Sequence, residues 1–379
     1  MLALLGVFVA EHCGRGKLEV ANAIEALGCW LAIHHQRAGQ DPRVRGNRKL
    51  ANVTHEQLAY AHVKRSGFYV SQPMRMATVQ ALPALGLVHA SSARFNVFTC
   101  TKAGSDLVQA YSNAYRPWNS SMEAVLAEWI RGDKPIRVAH TLCKALAPTE
   151  PLPGEAIGQL QECLQRGGEA ESAEDTARRR NLLAWAEARR IGKVDDLDWG
   201  QRPHVITSKP HWHDLESGAR FFIARDSALE LLTFLECLMP ADGVLRVDAT
   251  LCTQARGALA SLRRAAHAFL ELGHTEPLAV AFCRECTAAG DAEVLRTLVA
   301  RDGLVLRLRG DDIVAGSAYV AHSSPLSADA PSAESESAEP IGWPAGISHR
   351  VVNLFRLNLD MHGELSTSFA DVATEEATE

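Results

Sequence analysis

At 379 residues, 47% hydrophobic and 22% charged, the chain is long enough for two or three packed domains, and its composition is neither that of a disordered segment nor that of a fibrous protein. Its net charge is −6, from 39 Lys and Arg against 45 Asp and Glu, which by itself argues against a polyanionic partner. Nine scattered cysteines, an odd number with no secretion-type leader, argue against a disulfide framework and fit a reducing cytoplasm.

The apolar run Leu2–Ala10 falls short of the about 20 residues a bilayer span needs, and it lacks the basic leader of a signal peptide. It reads as a buried helix. Leu18, Ala21, Ile24 and Leu27 then repeat at helical spacing, so residues 1–36 are expected to be helical. His34 and His35, being adjacent, point to different faces and make no shared metal site. A loop rich in Gly, Asn and Pro follows, carrying Arg37, Arg43, Arg45, Arg48 and Lys49. Guanidinium groups on such a loop suit phosphate oxygens, since they make forked, charge-assisted contacts without base register. The overall charge is also unevenly spread. Residues 1–120 hold 13 Lys and Arg against 6 Asp and Glu, leaving 26 against 39 for the other 259. A basic front with an acidic back is expected where one part meets a polyanion and the other does not.

The stretch from Thr54 to Tyr115 carries the most information. Thr54 and Gln57 form a capping-box pair, which predicts a helix from Thr54 to about Arg65, broken by Ser66-Gly67. A second helix is expected over Ser71–Leu85, with Pro73 in its first turn and Val79, Leu82 and Leu85 on one face. Leu87-Val88 opens a strand, His89–Ala93 turns, and Arg94–Phe98 alternates as a second strand. Thr101 then caps a third helix carrying Leu107, Val108 and Tyr111. The Leu82-x-x-Leu85-Gly86-Leu87-Val88 helix end and the Thr101-x-x-Gly104-x-x-Leu107 pattern resemble winged helix-turn-helix repressors of the multiple-antibiotic-resistance and PadR types. The likeness covers about a sixth of the chain, and its motif encodes packing more than chemistry. The resemblance implies that the Ser71–Leu85 helix enters a major groove, with Gln72, Arg75, Met76 and Gln80 near base edges and Arg94 on the wing. It departs from the usual pattern in having only that one basic wing residue.

Beyond Tyr115, helices are expected at Met122–Arg131, Ile136–Ala147, Gly154–Gln165 and Thr176–Arg190. Pro135, Pro148, Pro151 and Pro153 lie between them. The Arg178-Arg179-Arg180 run reads as the charged first turn of an amphipathic helix. Residues 191–213 lose helical period. Further helices are expected at Leu215–Leu238, Thr250–Leu272, Pro277–Ala288 and Ala292–Arg301, then a hairpin about Gly310-Asp311 that echoes the front unit in outline. Ser323–Glu339 has a linker's composition, Val351–Leu359 alternates like a strand, and the tail to Glu379 is expected to lack order.

Chemical motifs are sparse. His211 and His213 at i, i+2 on an extended strand would face one side, with Asp214 as a third ligand for zinc or manganese, giving a metal-dependent hydrolase or nuclease. Packing histidines are the commoner explanation. Cys283-x-x-Cys286 lacks a partner pair for structural zinc and reads as two buried thiols. There is no phosphate loop, dinucleotide fingerprint, nucleophile elbow or kinase set.

The expected architecture is mainly α: an N-terminal winged helix-turn-helix followed by a helical body with a few short strands near the C-terminus. The divisions fall at 1–118, 119–200, 201–322, a linker at 323–345, and 346–379. The expected role is non-catalytic and cofactor-free: double-stranded DNA binding by a cytoplasmic protein working with other protein subunits and without a membrane. It would be an adaptor in a bacterial DNA-processing or anti-phage complex, or a transcription regulator. The rival is a scaffold whose winged helix grips a protein.

Overall fold

The computed structural model describes every residue except 40, 42, 133, 170, 193–197, 241–242, 321–342 and 366–379. The expected linker at Ser323–Glu339, most of the stretch 194–199 and the C-terminal tail lie outside the described residues. Mainly helical structure is interrupted by two small sheets. The contacts divide the chain into two compact units, one built from Met1–Arg180 and the turn of helix from Leu359, the other from Asn181–Asn358. Residues 119–180 thus group with the front of the chain.

The first unit is built round two helices, α1 (Leu2–Cys13) and α2 (Lys17–Gln36). Both are buried nearly all round, as expected of helices lacking a polar face. They cross closely because Gly6 lies against Ala21; a Cβ on Gly6 would come 2.5 Å from the Ala21 backbone. Four short helical turns follow: α3 (Asn47–Leu50), α4 (Tyr60–Val63), α5 (Arg75–Thr78) and α6 (Ala81–Ala84). Strands β1 (Val88–His89) and β2 (Thr99–Cys100) then pair antiparallel. The unit is completed by α7 (Lys102–Ala114), α8 (Met122–Arg131), α9 (His140–Leu146), α10 (Gly154–Arg166) and the start of α11 (Ala173–Arg190).

Local expectations met different fates here. The Thr54–Gln57 capping box is present, but it caps only a 3-10 turn, His55–Leu58, and the helix expected to Arg65 is broken at Ala59. Trp129 explains the break: its indole N–H donates to the Leu58 carbonyl at 2.7 Å, and extended Ala59 pairs with Pro135. The single helix expected at Ser71–Leu85 is two four-residue pieces, α5 and α6. Pro83 has no N–H for the Val79 carbonyl, so the ladder cannot run through. The strand expected at Arg94–Phe98 is a 3-10 turn over Phe95–Val97, with Phe95 and Phe98 both buried. Two inward aromatics three residues apart suit one turn of 3-10 helix, not an alternating strand.

Thr101 caps α7 as expected. Thr101 Oγ1 donates to the Gly86 carbonyl at 2.7 Å and accepts the Gly104 N–H at 3.0 Å. Gly104 sits so tightly against the Leu87 carbonyl that no side chain fits there. The arginine run is used within the chain, as expected, but α11 starts at Ala173 and not Thr176, so the run lies beyond the first turn: Arg178 pairs with Glu174, Arg179 with Glu171, and Arg180 donates to the Gln165 carbonyl.

The second unit contains the end of α11, α12 (Lys209–Cys237), α13 (Ala249–Gln254), α14 (Arg256–Glu271), α15 (Pro277–Cys286), α16 (Asp291–Asp302) and most of α17 (His349–Met361). Its sheet has the antiparallel order β3 (Val244–Leu245), β5 (Asp312–Ala315), β4 (Leu306–Arg309). The expected hairpin is therefore β4–β5, with a third strand beside it. One core fills the space between α12, α14, α15, α16 and the sheet; another gathers Trp185, Trp199, Trp212 and Trp343. The strand expected at Val351–Leu359 is helical. Val351, Val352 and Leu359 are buried, and that spacing lies on one helical face as readily as the sequence mimics alternation.

Candidate nucleic-acid interface

Between Val20 and Ile33 helix α2 is apolar except for Asn22, Glu25 and the thiol of Cys29, whose spacings of three and four put them on a single face. That face meets the segment Gly67–Arg75. Glu25 is buried, at 1% exposure, yet its carboxylate is satisfied: Oε1 accepts the Met74 N–H at 2.6 Å and Oε2 the Arg75 N–H at 3.1 Å. The Tyr69 hydroxyl lies 3.3 Å from Cys29 Sγ, near enough to the same carboxylate to favour its ionised form. Burial raises the Glu25 pKa above the ordinary glutamate value, opposed by the two backbone N–H groups and the Tyr69 hydroxyl. Burial also pushes the Cys29 thiol up to about 11 and raises the Tyr69 phenol. Glu25 escaped the sequence reading, although one acid at the centre of an apolar helix is itself a signal.

The carbonyls of the same segment are held from the other side. Arg45 Nη1 donates to the Gln72 carbonyl at 2.7 Å, and Lys49 Nζ donates to the Tyr69 and Gly67 carbonyls at 3.0 and 3.3 Å. Arg43 forks onto Asp41, with Nη2 at 2.7 Å, and reaches the Thr149 carbonyl at 3.2 Å. Those hydrogen bonds hold the Asp41 carboxyl below its ordinary range. So Arg43, Arg45 and Lys49, expected at phosphates, brace the chain itself. Arg37 and Arg48 are exposed, and neither has a side-chain partner among the described residues. Arg37 adopts the left-handed conformation, φ 57°, where α2 ends.

Between α5 and the 93–97 turn lies an open groove of about 620 Å³, lined by Leu18, Arg75, Met76, Val79 and residues 93–97. It brings together Arg75 and Met76 from the segment and Arg94 from the turn, three residues singled out on sequence grounds. Arg75 is not free to read bases. Its Nε donates to Asn22 Oδ1 at 2.5 Å and its guanidinium lies 5.5 Å from the Phe95 ring centre, so it ties one wall to the other. Met76 and Val97 stand out at 52% and 37% exposure. Arg94 is exposed; its N–H donates to Ser92 Oγ at 3.3 Å, while its guanidinium makes no hydrogen bond or ion pair among the described residues. Gln72 and Gln80 are exposed on the same segment. The turn is anchored by Asn96, whose Oδ1 accepts the Leu18 N–H at 2.8 Å.

The histidine motif comes out differently from the extended strand expected of it. Ser208 caps α12 by accepting the His211 N–H at 3.2 Å, and Pro210 occupies the first turn. His211, His213 and Asp214 therefore ride a helix, where positions i and i+2 face apart. His211 is buried at 3% exposure, and His213 pairs with His274 at 6.4 Å. Among the described residues, no three His, Cys, Asp or Glu side chains are grouped as a metal ion requires. Ser208-Lys-Pro210 was a legible helix start. Cys283 and Cys286 are both buried on α15, with thiols raised by burial to about 11 and about 12. No described helix is long and apolar enough to cross a membrane. No protein-family model, curated protein or solved structure matches this chain.

Proposed function

We propose that the front unit is a winged-helix-like module that contacts double-stranded DNA through the α5–turn groove, as a non-catalytic subunit of a DNA-processing or defence complex or as a transcription regulator. The observation that carries this reading is the groove itself: Met76 and Arg94 line its two walls, with exposed Gln72 and Gln80 on the same segment as Met76, in a unit where residues 1–120 carry a positive excess. Arg94 supplies the phosphate contact, with Arg37 and Arg48 available for others. Arg75 serves as the brace between the walls. A salt series of binding to a mixed-sequence duplex tests it. The native chain should lose affinity steeply with salt, and Arg94→Ala should weaken binding several-fold while reducing the slope by about one. A response equal in both proteins would remove Arg94 from the interface.

A second reading is favoured by the exposed Met76 and Val97, which suit an apolar anchor on a protein partner. It predicts partner capture that is nearly indifferent to salt and lost in Met76→Asp. Duplex binding that is absent at low salt would decide for it.

A further inference from the structure

Helices of four residues do not hold themselves, because nucleation costs more than one or two hydrogen bonds return. Helices α5 and α6 are of that length, so the path of the groove wall is set from outside. The Met74 and Arg75 amides are taken by one buried carboxylate, the Arg75 side chain by Asn22, and in the lead-in to α5 the Gln72 and Tyr69 carbonyls by Arg45 and Lys49.

We propose that Glu25 is a positioning residue for the groove: by accepting both the Met74 and Arg75 N–H groups it fixes where α5 begins, and thereby where Arg75 and Met76 stand, while touching no ligand itself. The inference rests on the groove being the contact surface. The chemistry explains the residue type. Two neighbouring amides need two acceptor oxygens on one rigid plane, and a carboxylate supplies both; a glutamine supplies one and turns a donor toward the other amide. An aspartate, one methylene shorter, falls short from the same position on α2. Burying a charge is costly, and removing either the carboxylate or the N–H groups that donate to it leaves the other uncompensated. Asn22 lies one turn earlier and holds the side chain of the residue whose backbone Glu25 holds, so one helix face fixes Arg75 at two points.

The test combines amide hydrogen exchange with duplex binding, on the full chain as native, Glu25→Gln and Asn22→Ala. In Glu25→Gln the amides of Met74 and Arg75 should exchange about tenfold faster or more, with α2 and α7 unchanged, and duplex affinity should fall several-fold. Unchanged exchange at Met74 and Arg75 overturns the proposal. Faster exchange spread evenly through α1, α2 and α7 overturns it too, since Glu25 would then be a general prop. Asn22→Ala leaves the buried charge intact, so it guards against a Glu25 variant that fails to fold. It should release the Arg75 side chain and weaken binding with the Met74 and Arg75 amides still protected; binding unchanged in Asn22→Ala counts against the proposal. Local exchange in Glu25→Gln without any duplex binding by the native chain would uphold the positioning role and sink the DNA reading.

Discussion

Glu25 also has a consequence for stability against pH. Its pKa is raised in the folded chain, chiefly by burial. Folding therefore favours the protonated form, and the stabilisation this gives is fully present below the unfolded value and lost as pH rises through the folded one. Melting temperatures from pH 4 to pH 7 should show the native chain losing ground relative to Glu25→Gln as pH increases. A parallel course for the two proteins would mean that burial does not govern this group. Binding should move the other way, with Glu25→Gln falling further behind the native chain as Glu25 ionises, since only the carboxylate offers two acceptor oxygens. The cysteines make a second residue-scale prediction. Cys237 is exposed, while Cys283 and Cys286 are buried with raised pKa values. At pH 8 a thiol reagent should modify Cys237 rapidly and the α15 pair only as fast as the chain unfolds.

Among elements, close approaches replace large side chains. A Cβ on Gly28 would run into the Leu146 carbonyl of α9, and one on Gly104 into the Leu87 carbonyl. Neither carbonyl can yield as a flexible side-chain tip would. Gly28→Ala and Gly104→Ala should each cost about 1–3 kcal/mol, visible as a lowered denaturation midpoint at constant slope. The Gly104 position was legible in the sequence as part of a packing motif, and the longer helices and the β4–β5 hairpin were legible from periodicity and from Gly310-Asp311. What escaped was set by contacts distant in sequence. The Thr54 helix ends because Trp129, 71 positions on, takes its carbonyl. The basic loop looked solvent-directed because its acceptors, the carbonyls of Gly67, Tyr69 and Gln72, are invisible in a sequence of side chains. The Ser71 helix divides at Val79-Gln80, because Pro83, which composition did announce, has no N–H for the Val79 carbonyl, and its start is fixed by Glu25, which composition announced only as an oddity.

For the whole molecule, charge remains divided, though less sharply than the first 120 residues imply. Residues 1–180 hold 21 Lys and Arg against 16 Asp and Glu, and the remainder 18 against 29. In the second unit helix α16 has its arginines engaged, Arg296 with Asp311 and Arg301 with Glu285. Arg307 and Arg309 on β4 are exposed beside Asp312. If duplex affinity resides in the front unit, Arg307→Ala with Arg309→Ala should leave the salt slope unchanged, whereas a slope lower by about two would put that strand in the interface. Metal analysis of the purified chain should likewise be indifferent to His211→Ala, whose effect should fall on stability.

Asn96 accepts the Leu18 N–H in the first turn of α2, and Glu25 and Asn22 further along that helix hold α5. Both jaws of the groove are thus bolted to one rod, itself sunk in the core. The gap between them is a fixed gauge and not a hinge, so whatever seats there pays little to reshape its host and must already match the opening.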